Sequence, residues 1–524
     1  MACDGDFCDD YLLLKPEKGE VSDLFRLLFS KNINHNKFLD CPSGTEITEA
    51  RRRWLICVSL TAQVILLRLK NPLSWAGSAI ERWLNLLSEN TNFYALILNQ
   101  LQGEFPSFSH ITIIYIYIYI SYSLIRCAMH GCMRHAPDDW TISCLETYCC
   151  VENVQPVPDL DSASYKSFIG FLDERLGLDK DIKKGDNRYH AALSVMAAKL
   201  SYENETFIKS TVTDKWKMEF VEYYHCWNDY QEQFSTQAFM LMDKSTAPEL
   251  IVISFRGTES FNAVDWSTDV DFSFYELRGM GKVHAGFMKA LGLQKNQGWP
   301  KEIEQGEKKP AYAYYAIREK LRDVLRKNDN AKFILTGHSL GGALAVLFPA
   351  ILAVHKEVWM LERLAGVYTF GQPRVGDEKL GKFVMEQLNK HGGSYYRFVY
   401  SNDIVPRLPY DDTTLWFKHF GTCLYYNSFY VGKIVAEEPN KNYFSLWTVL
   451  PKLLTAEWEV VRSFAIGYIK GRDYREGWVL RMLRVIGLVF PGFPAHTPQD
   501  YVNATRLGTS LITHDQIIES SKLD

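Results

Sequence analysis

From about Asp159 to Asp524 the sequence predicts an α/β fold with a mainly parallel central sheet. Short β-prone runs alternate there with stretches of helical length, and one of these runs, Leu250–Phe255, is essentially apolar. A strand without a polar face belongs in a sheet covered on both sides, where parallel strands are usually found. A glycine-framed turn, Gly337-His338-Ser339-Leu340-Gly341-Gly342, also lies where a strand should give way to a helix.

The elements follow in order. Gln237–Met242 and Leu250–Phe255 read as strands, Tyr312–Arg326 as a helix, Phe333–Thr336 as a strand and Gly342–His355 as a helix. Val367–Phe370 is a further strand, Lys379–Lys390 a helix and Tyr395–Tyr400 a strand. Asp377, just ahead of one helix, has the character of an N-cap.

The region 1–102 is different. An apolar run from Trp54 to Leu67 is flanked by Arg51-Arg52-Arg53 and by Arg68 and Lys70. It is short for a bilayer span, which needs roughly 20 apolar residues. Pro72 then separates it from a second apolar-rich stretch, Leu73 to Leu101. A helix, a proline break and another helix would suit a lipid interface; a core helix packed on the following domain would give the same pattern. Residues 103–150 form an atypical insert, with an Ile-Tyr repeat over Ile113–Ile120 and five crowded cysteines, Cys127, Cys132, Cys144, Cys149 and Cys150. These cysteines follow no zinc-binding spacing. The insert reads either as retained non-coding sequence or as an extra membrane segment over Ile111 to Ile125. The remainder, 155–524, reads as one domain.

Composition excludes some partners. The 524 residues hold 58 Lys+Arg against 62 Asp+Glu, a net charge of −4, so there is no basic field for nucleic acid. The acidic start Met1-Ala2-Cys3-Asp4 does not resemble a secretory signal, and the 11 cysteines show no disulfide framework, which favours a reducing compartment. The sequons at Asn204 and Asn503 are then chance matches.

The chemistry centres on Ser339. Its glycine neighbours permit a sharp strand-to-helix turn that holds the hydroxyl out for a base, with N–H groups at a helix start nearby. A serine nucleophile needs a base, and the base needs an orienting acid. In the order serine, acid, histidine, Asp403 follows the strand Tyr395–Tyr400, and His496 lies in a proline-rich loop. His419, between Phe417 and Phe420, looks like a packed position, and His514 lies near the tail. Oxyanion donors are expected from the Leu340 N–H and from Thr258, in the turn after Leu250–Phe255, which can supply both its N–H and its hydroxyl.

Five segments together resemble the class 3 (fungal-type) lipase family. They are Ile253–Thr258, Val283–Phe287, Thr336–Gly342, Phe370–Gly376 and Asn402–Pro406. Phe417–Tyr426 and Pro494–Gly508 look like plant oil-body triacylglycerol lipases within it. The resemblance implies an α/β-hydrolase fold, a Ser339-Asp403-His496 triad with Thr258 and Leu340 as oxyanion donors, and no cofactor or metal. It implies a triacylglycerol or other acyl-ester lipid as substrate and a lipid-droplet or membrane surface, facing the cytosol, as location. Ser260–Asp271 matches the region that forms a lid in such lipases. One departure is the length between Asp403 and His496; the apolar Phe444–Phe490 stretch in between is expected either to meet lipid or to cap the core. A phospholipase A1, galactolipase or diacylglycerol lipase would share the triad, and a catalytically silent droplet scaffold would share the fold.

Overall fold

The computed structural model describes residues 8–89 and 157–508, apart from 20, 31–35, 43–44, 46, 229–230, 246–248, 294–310, 412–415, 442 and 444. The insert 103–150 with its cysteine cluster, and His514, lie outside the described residues. Two compact units divide the chain, one of Met1–Gly77 with Lys166–Asp524 and one of Ser78–Tyr165.

The larger unit is built on the apolar strands. Twelve strands are described: β1 (Cys8–Leu14), β2 (Leu39–Asp40), β3 (Glu219–Asn228), β4 (Gln233–Met242), β5 (Leu250–Phe255), β6 (Phe274–Leu277), β7 (Gly281–His284), β8 (Lys332–His338), β9 (Leu364–Phe370), β10 (Tyr395–Tyr400), β11 (Thr422–Tyr426) and β12 (Gly432–Val435). Eight form one sheet in the order β12-β11-β10-β9-β8-β5-β4-β3. The five central strands, β5 and β8 to β11, are parallel, while β12 pairs antiparallel with β11 at one edge and β4 pairs antiparallel with both β5 and the edge strand β3 at the other. The expected α/β architecture is therefore present, with antiparallel margins.

Both faces of this sheet are covered, as the apolar strands require. Ile251, Ile253, Phe255, Phe333 and Leu335 point into one core, beneath the helices Ala313–Lys327, Leu340–Val354 and Glu378–Lys390. Leu250, Val252 and Ile334 point into the other, under the helices Tyr189–Leu200 and Pro498–Leu507. The period of two along each strand sorts successive residues to opposite faces. Asp377 caps its helix as expected, its carboxylate accepting from the Leu380 N–H at 2.9 Å. Asn503 is fully buried and donates to the Tyr430 hydroxyl at 2.8 Å, so in the folded chain that sequon is closed to a glycan.

A smaller sheet, β2-β1-β6-β7, brings the N-terminus into the same unit. The first turns of the helix Ala50–Glu89 pack against it: Ile56 and Leu60 join Leu12, Leu14 and Phe274 in a third core. Ser59 donates to the Val270 carbonyl at 2.6 Å. Trp54, Val58, Ile65 and Trp75 on the same helix are exposed, so the apolar run is divided between core and surface. The proline break expected at Pro72 is not there, for the helix runs on through it. Proline already has a helical φ; it removes the hydrogen bond to the carbonyl four residues earlier and crowds that carbonyl, a local cost that a 40-residue helix tolerates. Among the described residues this is the one helix long and apolar enough to cross a membrane, by length and composition.

Between β10 and His496 two further helices, Val449–Ile469 and Trp478–Ile486, are tied to the core by buried charges. Asp500 accepts from Arg462 at 2.9 Å, from Arg484 at 3.1 and 3.2 Å, and from the Tyr430 hydroxyl at 2.8 Å. Arg484 also donates to both carboxylate oxygens of Glu476, at 2.5 and 2.7 Å. Arg462 donates to the Tyr400 hydroxyl, which donates in turn to Glu459 at 3.0 Å. Burial pushes the Glu459 carboxyl up to about 7. Removing one cation from such a cluster leaves carboxylates buried without partners. Arg484→Ala is therefore expected to cost about 3–5 kcal/mol of stability, read as a fall in thermal midpoint and faster proteolysis within the Val449–Ile486 region.

Candidate active site

Ser339 sits at the carboxyl end of β8 and the start of the helix Leu340–Val354, with φ 58° and ψ −132°. That left-handed φ is unusual for a residue with a side chain. It is held there by the Ser339 N–H, which donates to the Phe370 carbonyl at 2.9 Å, and by the Gly342 N–H, which donates to the Ser339 carbonyl at 2.9 Å. The flanking glycines are required by contact. A Cβ on Gly337 would lie 2.2 Å from the Gly341 carbonyl oxygen, and one on Gly341 would lie 2.2 Å from the Phe255 oxygen.

The three residues singled out in sequence meet here. His496 Nε2 lies 2.9 Å from Ser339 Oγ, and His496 Nδ1 lies 2.8 Å from Asp403 Oδ2. A proton on Nδ1, donated to the carboxylate, leaves Nε2 as the acceptor for the serine hydroxyl. Asp403 is fully buried, and Ser339 is 3% exposed. Asp403 Oδ1 accepts from the Val405 N–H at 2.9 Å, and Arg407 donates to the Asp403 carbonyl. Gly371, at φ 62°, lies under this pair: a Cβ there would come within 2.9 Å of Asp403 Oδ2 and 3.0 Å of the His496 ring.

Leu340 opens its helix, where the first N–H groups have no acceptor within the helix. Thr258 lies in the loop after β5, and the neighbouring Gly257 is pressed on the His338 carbonyl, so this loop abuts the serine turn. The Thr258 hydroxyl, expected to be available to an oxyanion, instead donates to Asp269 Oδ2 at 3.0 Å. His419 is buried elsewhere, its Nε2 2.6 Å from the Pro406 carbonyl.

Three groups had no local signal in the sequence. Tyr501 donates to Asp403 Oδ2 at 2.5 Å, giving the carboxylate a second donor beside His496. His338 Nε2 donates to the His496 carbonyl at 2.8 Å, and His338 Nδ1 accepts from the Tyr202 hydroxyl at 2.8 Å. Burial, and then the neighbouring His496, push His338 well below the usual histidine range, so it braces the loop as a neutral ring.

Residues 252–413 match the family described as lipase (class 3). The triacylglycerol lipase OBL1 of Arabidopsis thaliana is 39% identical over 525 residues, covering 95% of this chain and 95% of that protein. Its namesake from Nicotiana tabacum is 35% identical over 594 residues, covering 96% and 95%. The chain belongs to the class 3 lipase family. A solved Rhizomucor miehei lipase–propeptide complex is 22% identical, with a TM-score of 0.35, over 52% of this chain and 84% of that one.

In this class 3 lipase the segment Ser260–Asp271 forms the short helix Ala263–Asp269, capped by Asn262. Its carboxylates face inward. Asp265 accepts from Gln231 and from the Glu259 N–H, and Asp271 accepts from Ser273 at 2.7 Å. Trp266, only partly buried, stands 6.1 Å from the ring of Phe493, just ahead of His496. Burial, offset by the Thr258 hydrogen bond, pushes Asp269 up to about 7. A carboxyl raised in the folded state binds its proton more tightly there than when unfolded, so its contribution to stability falls as pH rises from 3.8 to about 7. Asp269→Asn keeps an acceptor for Thr258 and removes that slope. The melting temperature of the variant relative to the parent is expected to rise with pH across this window, as measured by a pH series of thermal melts; a flat difference would contradict it.

Proposed function

We propose that this class 3 lipase is a triacylglycerol lipase working through Ser339, His496 and Asp403. The observation that carries this reading is the His496 ring bridging the serine hydroxyl and the buried carboxylate, at 2.9 and 2.8 Å. His496 takes the serine proton as Ser339 attacks the ester carbonyl, and Asp403 stabilises the imidazolium. The N–H groups of Leu340 and Thr258 stabilise the oxyanion. The alcohol leaves with the proton returned by His496, and water then attacks the acyl-enzyme by the same route to release the fatty acid. The long relatives carrying the name triacylglycerol lipase support the substrate class.

The proposed location is the cytosolic face of a lipid droplet or membrane, supported by the long apolar helix Ala50–Glu89 in the N-terminal region 1–102. The hydrolase proper is assigned to 155–524. Ser339 is nearly closed off from solvent, so substrate entry requires movement around the helix Ala263–Asp269, and an apolar surface favours that movement.

Ser339→Ala is expected to lower hydrolysis of emulsified triolein by at least about a thousandfold. Unchanged hydrolysis would remove Ser339 from the mechanism. Initial rates on emulsions of tri-, di- and phospho-acylglycerols then test the substrate: the highest rate is expected on triacylglycerol, and preference for a phospholipid would overturn that choice.

A further inference from the structure

The two helices between Asp403 and His496 are inside out. On Val449–Ile469 the charged Lys452, Glu459 and Arg462 are buried, while Leu450, Leu454, Val461, Phe464 and Tyr468 are exposed. Trp458 continues that stripe, whose steps of three, four and seven residues keep it on one side of the helix. On Trp478–Ile486 Arg484 is buried, and Trp478, Met482, Val485 and Ile486 face out. Glu457 is the one charge exposed on the first helix, and the second carries only the half-buried Arg481 besides Arg484. An ordinary surface helix would turn over to hide such a stripe. Here the Asp500–Arg462–Arg484–Glu476 cluster holds the charges inward and fixes the apolar sides outward.

The two helices lie against each other, with the Arg481 guanidinium 4.5 Å from the Phe464 ring. The apolar surface continues through Val489 and Phe490 to Phe493, whose carbonyl accepts from the His496 N–H at 3.2 Å. It therefore begins at the loop that carries the histidine. At its far edge the turn between the helices exposes Lys470, Arg472 and Arg475 against Asp473. Indole and phenol rings beside cations on an apolar face match the boundary between acyl chains and phosphate headgroups.

We propose that this surface docks on the phospholipid monolayer of a triacylglycerol droplet, with the apolar stripes among the acyl chains and the Lys470–Arg475 turn at phosphate level. The proposal rests on the reading of the chain as an acyl-ester hydrolase, since it places the mouth of that site on the oil. It assigns the long insertion the task of seating the enzyme, separately from the helix Ala50–Glu89.

The test uses the full chain and triolein droplets coated with phosphatidylcholine. Hydroxyl-radical labelling of Phe464, Trp478 and Phe490 is expected to fall at least about fivefold when droplets are added, because acyl chains cover those rings. The triple variant Leu454→Gln, Val461→Gln and Val489→Gln changes three exposed side chains outside the site, and an unaltered thermal midpoint checks its fold. It is expected to lose at least about tenfold in droplet hydrolysis, with hydrolysis of soluble p-nitrophenyl butyrate kept within about twofold. Equal labelling with and without droplets, or droplet hydrolysis undiminished in the variant, overturns the proposal. So does protection that grows with protein concentration in the absence of lipid, which would assign the surface to a second copy of the chain. Protection by droplets in a protein that hydrolyses neither ester leaves the docking surface standing and removes the hydrolase reading.

Discussion

Asp500 is fully buried between two guanidiniums, and the placement of the histidine side of the site depends on that pairing. The helix Pro498–Leu507 carries Asp500 on one side and Tyr501, against Asp403, on the next. The same arginines come from the two helices of the insertion, so one cluster locks the long excursion of the chain to the segment that returns to the site. Desolvating two guanidiniums and their carboxylate partners is expensive, and well-packed apolar residues often do as well energetically. The arrangement makes more sense as positioning: the imidazole has to be held within about half an ångström of its working place. A directional network specifies a place more sharply than an apolar contact does.

The serine side is set by backbone approach. Ser339 keeps a left-handed φ that costs on the order of 1–3 kcal/mol, and the surrounding contacts hold it there. Gly337 and Gly341 let β5, β8 and the following helix close to within van der Waals distance, and Gly371 does the same beneath Asp403 and His496. The reacting groups thus gather beyond the carboxyl ends of adjacent parallel strands, where an α/β sheet leaves a crevice.

Much of this was legible in the sequence, for physical reasons. The strands announced themselves because a sheet buried on both faces needs largely apolar runs; Leu250–Phe255 has the predicted bounds, and so does Tyr395–Tyr400, whose Arg397 is buried against Glu438. Ser339 was legible because its requirement is local: glycines at fixed offsets in one turn. His496 could be chosen over His419 only by chain order and loop setting, since the approach to Ser339 spans 157 residues. Tyr501, Tyr202 and Asp269 were silent, as a buried tyrosine or carboxyl acquires its role from partners far along the chain. The inverted helices were half legible. Periodicity reveals an apolar side and a charged side, but the side that faces inward is decided by partners such as Asp500. Pro72 misled because propensity registers the lost hydrogen bond and not the length of helix that absorbs it.

The long separation of Ser339 from His496 also bears on how the protein is made. A chain emerges from the ribosome N-terminus first, and its parts fold in that order. The β8 turn and the Asp403 loop can form while the insertion and His496 are still to come. Until the Pro494–Leu507 segment settles onto the sheet, Ser339 has no base and its hydroxyl is no more reactive than any alcohol. Hydrolytic competence thus arrives as one of the last acts of folding, which protects the lipids around a growing chain from a half-made enzyme.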